Sequence, residues 1–101
     1  MEFDGKYFSE LNFAYSAFIK AGITLLSSKK IKVRSVPGHH LKIIEMMARI
    51  LDDDSFAVLG NAMRLKRNRD FYEGGIEVTE KECKGYIEFV EKSVAAVGKN
   101  I

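Results

Sequence analysis

Four stretches of this chain repeat apolar residues at intervals of three and four, and no stretch of comparable length alternates like a strand. That period is the strongest constraint on the fold, because it puts one apolar stripe on each of four helices and leaves a bundle as the way to bury them. The first stretch runs from about Asp4 to Ser28, with Tyr7, Phe8, Leu11, Tyr15, Phe18, Gly22, Leu25 and Leu26 on its stripe. Asp4 is placed to accept a backbone N–H bond and cap its start. Ile31 to Val36 is expected to be an extended connector, and Pro37 suits the beginning of a helix because it lacks an N–H. The second helix is predicted from about Gly38 to Leu51, with Leu41, Ile44, Met47, Ile50 and Leu51 inward.

Asp52-Asp53-Asp54-Ser55 should stop that helix and cap the third, which starts near Phe56. The third carries Phe56, Leu59, Ala62 and Met63 inward, turns strongly basic, and stops at Gly74-Gly75, where glycine tolerates the left-handed conformation. Thr79-Glu80-Lys81-Glu82 has the pattern of a capping box opening the fourth helix. Cys83, Tyr86, Ile87, Val90, Val94 and Val97 follow on one face, and Gly98 marks the end. Short connections favour antiparallel neighbours, so the expectation is all-α: an up-and-down four-helix bundle forming one domain over residues 1–101.

Several function classes are disfavoured at once. The single cysteine, Cys83, permits no internal disulfide. No signal-like segment opens the chain and no apolar run reaches the ~18 residues that span a bilayer, so a cytoplasmic protein without membrane contact is expected. His39 and His40 are adjacent and diverge on a helix, which makes a poor metal pair. No other histidine exists, so neither a metal nor a cofactor is expected. Cys83 and the tyrosines at 7, 15 and 86 are better explained by packing. His40 is kept as a remote candidate for a cleft around Arg67.

The third helix breaks its own pattern. The stripe through Phe56, Leu59 and Met63 leads next to Arg67 and then to Asp70, so a core position has become an arginine. A guanidinium there must find a carboxylate or face a wet cleft, and Asp70 is a local partner. Arg64, Lys66 and Arg69 make the same turn basic, although the net charge is only +2. The ordinary explanation of such a cluster is a solvated face with an ion pair at a helix end.

Leu65-Lys66-Arg67-Asn68-Arg69-Asp70-Phe71-Tyr72, followed by Gly74-Gly75, resembles the signature turn of HEPN domains, a family of small helical bundles that are frequently dimeric. The resemblance in shape covers nearly the whole chain, while the motif covers only this turn. Family members that cleave RNA carry an arginine and a polar residue, then a histidine a few positions on. Arg67 and Asn68 match the first two, and Tyr72 stands where the histidine would be. A tyrosine is a poor general base near neutrality. It still donates a hydrogen bond or stacks on a base.

What the resemblance implies is a dimeric module that binds RNA or nucleotide. Arg67 would hold phosphate, Asn68 would orient it, Tyr72 would contact base or sugar, and Arg64, Lys66 and Arg69 would attract the polyanion. Alternatives stay open: an active metal-independent ribonuclease with Arg67, Asn68 and Tyr72 as catalytic residues, as in toxin–antitoxin pairs; an interaction module paired with a small nucleotidyltransferase; or a homodimer whose basic turn is structural. Five helical residues advance ~500°, leaving Arg67 and Tyr72 about 140° apart, so they meet only if the helix unwinds or if two chains share a cleft.

Overall fold

The helical stripes close on one another in the computed structural model, which describes residues 6–73 and 78–101, and of residues 6, 8 and 69–73 the backbone alone. Four helices follow in order: α1 (Lys6–Ser28), α2 (His39–Leu51), α3 (Asp54–Glu73) and α4 (Glu80–Lys99). They form an antiparallel bundle in which α1 is the common wall, packed against α4, α2 and α3, while α2 and α3 pack as a hairpin. Among the described residues no helix is long and apolar enough to cross a membrane.

The core is where the stripes meet. Leu11, Tyr15, Phe18, Leu25 and Leu26 of α1 are buried with Ile44 and Met47 of α2, Phe56 and Met63 of α3, and Cys83, Val90 and Val97 of α4. Three aromatic rings knit the centre: Phe89 lies 5.3 Å from Phe18 and 5.8 Å from Phe56, centroid to centroid. The helices approach closely where α1 and α3 lack a side chain. A methyl on Gly22 would come 2.5 Å from Met47 Sδ, and one on Gly60 would come 2.9 Å from both Ile44 and Phe18. The stripe of α3 therefore runs Phe56, Gly60, Met63 and on to Arg67, with Gly60 where the period had pointed to Leu59.

The boundaries have local causes. Asp52 takes a left-handed conformation (φ 52°) and its N–H reaches back to Ala48 and Arg49, ending α2. One residue on, Asp53 Oδ1 accepts from Ser55 N at 2.9 Å and from Ser55 Oγ at 2.7 Å, a cap for the first turn of α3. That helix consequently starts at Asp54, two residues before Phe56. Thr79 and Glu82 make the expected reciprocal capping box at the head of α4. Gly38, in the left-handed region at φ 86°, sits between Pro37 and the first turn of α2. The cap expected of Asp4 and the stop expected of Gly74-Gly75 lie outside the described residues.

Some inward assignments need correction. Leu59 is 39% exposed and Val94 45% exposed, while Ile43, Ala48, Phe89 and the serine at 93 are buried instead. In α4 the buried face is centred between the row of Cys83, Val90 and Val97 and the row of Tyr86, Phe89 and Ser93. Val94 is thereby rotated to the edge. Ser93 is tolerated inside because its hydroxyl donates to the Phe89 carbonyl at 2.7 Å. Leu41, Ile50 and Leu51 are half-buried.

Candidate functional site

Arg67 occupies the last described position of the α3 stripe, so the packing that buries Phe56 and Met63 also carries its side chain toward α1. There its Nε donates to Asn12 Oδ1 at 2.7 Å, and its Cζ lies 5.3 Å from the centroid of the Tyr15 ring. The pair expected with Asp70 lies outside the described residues. Among the described residues the contacts of Arg67 are an amide oxygen and an aromatic face. Neither cancels its charge, although the ring face attracts it.

Arg64 stands one turn earlier on the same side of the helix and is held the same way, its Nε donating to Asn61 Oδ1 at 3.0 Å. In both residues an asparagine oxygen takes the Nε donor, and the paired terminal amines are the edge that can meet an oxyanion with two parallel bonds.

Beneath the arginines lies a second pair. Tyr15, 1% exposed, shares a 2.9 Å hydrogen bond between its hydroxyl and His40 Nδ1. Tyr15 comes from the middle of α1 and His40 from the first turn of α2, on the side that also carries Ile44 and Met47. His40 is half-buried and meets the His39 ring edge-on, centroids 4.5 Å apart. Burial pushes the Tyr15 hydroxyl up to about 12 despite the opposing pull of Arg64 and Arg67. Burial also lowers His40 below the ordinary histidine value, and His39, Arg67 and Arg64 lower it further. The cluster is thus a neutral tyrosine, a neutral imidazole at pH 7 and two guanidiniums.

The remaining candidates divide. Lys66 forms an ion pair with Glu82 Oε2 at 3.2 Å and fastens α3 to the capping box of α4. Burial disfavours the Glu82 carboxylate, but its bonds from the Thr79 N–H and from Lys66 outweigh that and hold it below the usual range. Asn68 is half-buried on α3. The backbones of Arg69 and Tyr72 belong to α3, and their side chains lie outside the described residues. Because α3 continues to Glu73, the helix does not unwind between Arg67 and Tyr72, and their positions stay about 140° apart.

Asn12, Asn61 and Tyr15 were not singled out by sequence as site residues. Their signal was weak: Tyr15 lies on a core stripe, and an asparagine mid-helix has no pattern of its own. Cys83 is buried, and its Sγ lies 3.4 Å from Glu10 Oε2, an interior contact between α4 and α1. No group of three or more histidine, cysteine, aspartate or glutamate residues is placed to hold a metal among the described residues. Comparison of the chain with family models, with curated proteins and with solved structures finds no match.

Proposed function

We propose that this chain is an HEPN-like helical domain that binds RNA or nucleotide through the arginines of α3, acting as a dimeric binding or interaction module. The observation that carries the reading is the way Arg64 and Arg67 are held. Each guanidinium is fixed through Nε by a neutral asparagine, with no carboxylate paired to it among the described residues. The Arg67 bond is solvent-exposed and the Arg64 bond only part-buried, so water screens these charges and leaves them accessible to an anion. A phosphate would supply a counter-charge and accept from the two terminal amines. The homodimer, a small nucleotidyltransferase partner and a toxin–antitoxin role belong to the same proposal and rest on the resemblance of the Arg67–Tyr72 turn.

The test is binding of a single-stranded oligoribonucleotide across a salt series, with Arg67→Ala beside the native chain. Affinity should fall steeply with salt, and removing Arg67 should weaken binding and lower the slope by about 0.7, the loss of one phosphate contact on a single strand. Equal binding by both proteins, with only stability changed, would return Arg67 to a structural role.

A second reading, the metal-independent ribonuclease, draws support from one observation. His40 lies beside Tyr15 under Arg67, so α2 brings to the cluster the histidine that the α3 turn lacks. Cleavage of RNA in the presence of EDTA, abolished by both Arg67→Ala and His40→Asn, would establish it. Absence of cleavage by the native protein would leave the binding role.

A further inference from the structure

His40 satisfies the buried Tyr15 hydroxyl, and through Tyr15 it stands beside the Arg67 guanidinium. The charged and titratable groups around it can be assigned helix by helix. Tyr15 of α1 shares its Nδ1, His39 of α2 lies against its ring, and Arg64 and Arg67 of α3 act on it through space. Among the described residues none of the groups that act on it is a carboxylate, and α4 contributes no charged group to it. Protonating His40 in the empty protein therefore adds a third cation to a site already carrying two.

An oxyanion reverses that balance. With its charge lying between the two arginines, the imidazolium gains a counter-ion instead of two repelling neighbours. The hydrogen bonding is ready for it. In the imidazolium both ring nitrogens donate, so the Tyr15 oxygen accepts from Nδ1–H and Nε2–H is left for the ligand. Tyr15 suits that part because it keeps its own proton throughout the range in which histidine titrates, and so serves as donor or acceptor as His40 requires.

We propose that Arg64, Arg67 and His40 form one three-cation site for an oxyanion of the phosphate class, and that His40 takes up a proton as the anion binds. This deepens the binding role given above and rests on it for the identity of the anion as an RNA phosphodiester. The site is assembled from three helices of a single chain, with Asn12 and Asn61 setting the arginines and Tyr15 setting the imidazole.

Two measurements test it together. The first is the affinity of an oligoribonucleotide with hydroxyl termini between about pH 5.5 and 8, a range in which histidine titrates and phosphodiesters do not. The second is the NMR titration of His40 in sulfate against chloride, with the two histidines assigned by His40→Asn. Binding should tighten toward low pH, by about tenfold for each unit by which the anion raises the pKa of His40. His40→Asn should flatten the profile. Sulfate should raise the midpoint of His40 in the native chain and not in Arg67→Ala.

If RNA binds and depends on Arg67, yet the pH profile is unchanged in His40→Asn, proton coupling is overturned while RNA binding stands. If RNA does not bind but sulfate raises the His40 midpoint through Arg67, the oxyanion site stands and the RNA reading falls. A His40 midpoint indifferent to sulfate overturns the site itself.

Discussion

Removing the Tyr15 hydroxyl should make the protein weaker at neutral pH and stronger at high pH, and the crossing of the two stabilities is the sharpest test of how this cluster is built. At pH 7, Tyr15→Phe loses the bond to His40 Nδ1 but keeps the ring that packs in the core and lies under Arg67. Its cost is then that of one hydrogen bond, about 1 kcal/mol, since water can reach the half-buried imidazole. At high pH the sign reverses. The phenol is held up to about 12 in the folded chain against an ordinary value of about 10 when unfolded. Above pH 10 the unfolded chain sheds this proton and the folded chain keeps it, so stability falls as pH rises from 10 to 12. Two units amount to at most about 2.7 kcal/mol, and at pH 11.5 roughly 1.9 kcal/mol of it would be lost. Tyr15→Phe has no such loss, so the two curves should cross between about pH 10.5 and 11. Urea unfolding followed by helical circular dichroism gives both curves, and the other tyrosines and lysines cancel in the difference. Stabilities that run parallel from neutral pH to pH 11.5 would refute a buried, proton-retaining Tyr15.

Other expectations concern the frame that holds the cluster. Gly60→Ala should destabilise by about 1–3 kcal/mol despite alanine's helix preference, because its methyl would meet Ile44 and Phe18 at 2.9 Å. Gly85→Ala, on the exposed side of α4 with nothing within 4 Å, should stabilise by about 0.5–1 kcal/mol; thermal unfolding of the two variants checks the opposite signs. Thr79→Ala should cost about 1 kcal/mol by removing half of the capping box, measured by urea unfolding.

The helices α2, α3 and α4 were legible because each shows both a stripe and an end whose cap the structure describes. Thr79 and Glu82 are spaced for reciprocal bonds, and the aspartates at 52 and 53 divide α2 from α3 as their short polar side chains allow. What the pattern could not resolve is rotation about each axis. Period alone admits either Leu59 or Gly60 as the inward residue, and tertiary approach decides it, since the Phe18 ring needs the space that Gly60 leaves. The site was half legible for a related reason. Arg67 was visible as a charge on an apolar stripe, whereas its partners are residues whose neighbours in space are remote in sequence. Asn12 lies 55 residues away, and His40 is 25 residues from Tyr15.

The same rotation argument bears on how a cleft is assembled. On sequence alone, Arg67 and Tyr72 diverge by about 140° and a second chain is the natural way to complete a site between them. The continuous α3 keeps that divergence. It also places Arg64 and Arg67 only about 60° apart, three residues along the same helix, so these two share a face without help. Both act electrostatically on Tyr15 of α1 and His40 of α2, helices that the core fixes against α3 through Phe18, Ile44 and Gly60. A site built on Arg64, Arg67 and His40 therefore needs no partner to exist, whereas one built on Arg67 and Tyr72 does. Oxyanion binding by Arg67 should then persist in dilute protein at concentrations where any dimer dissociates, and a contribution from Tyr72 should disappear with the dimer.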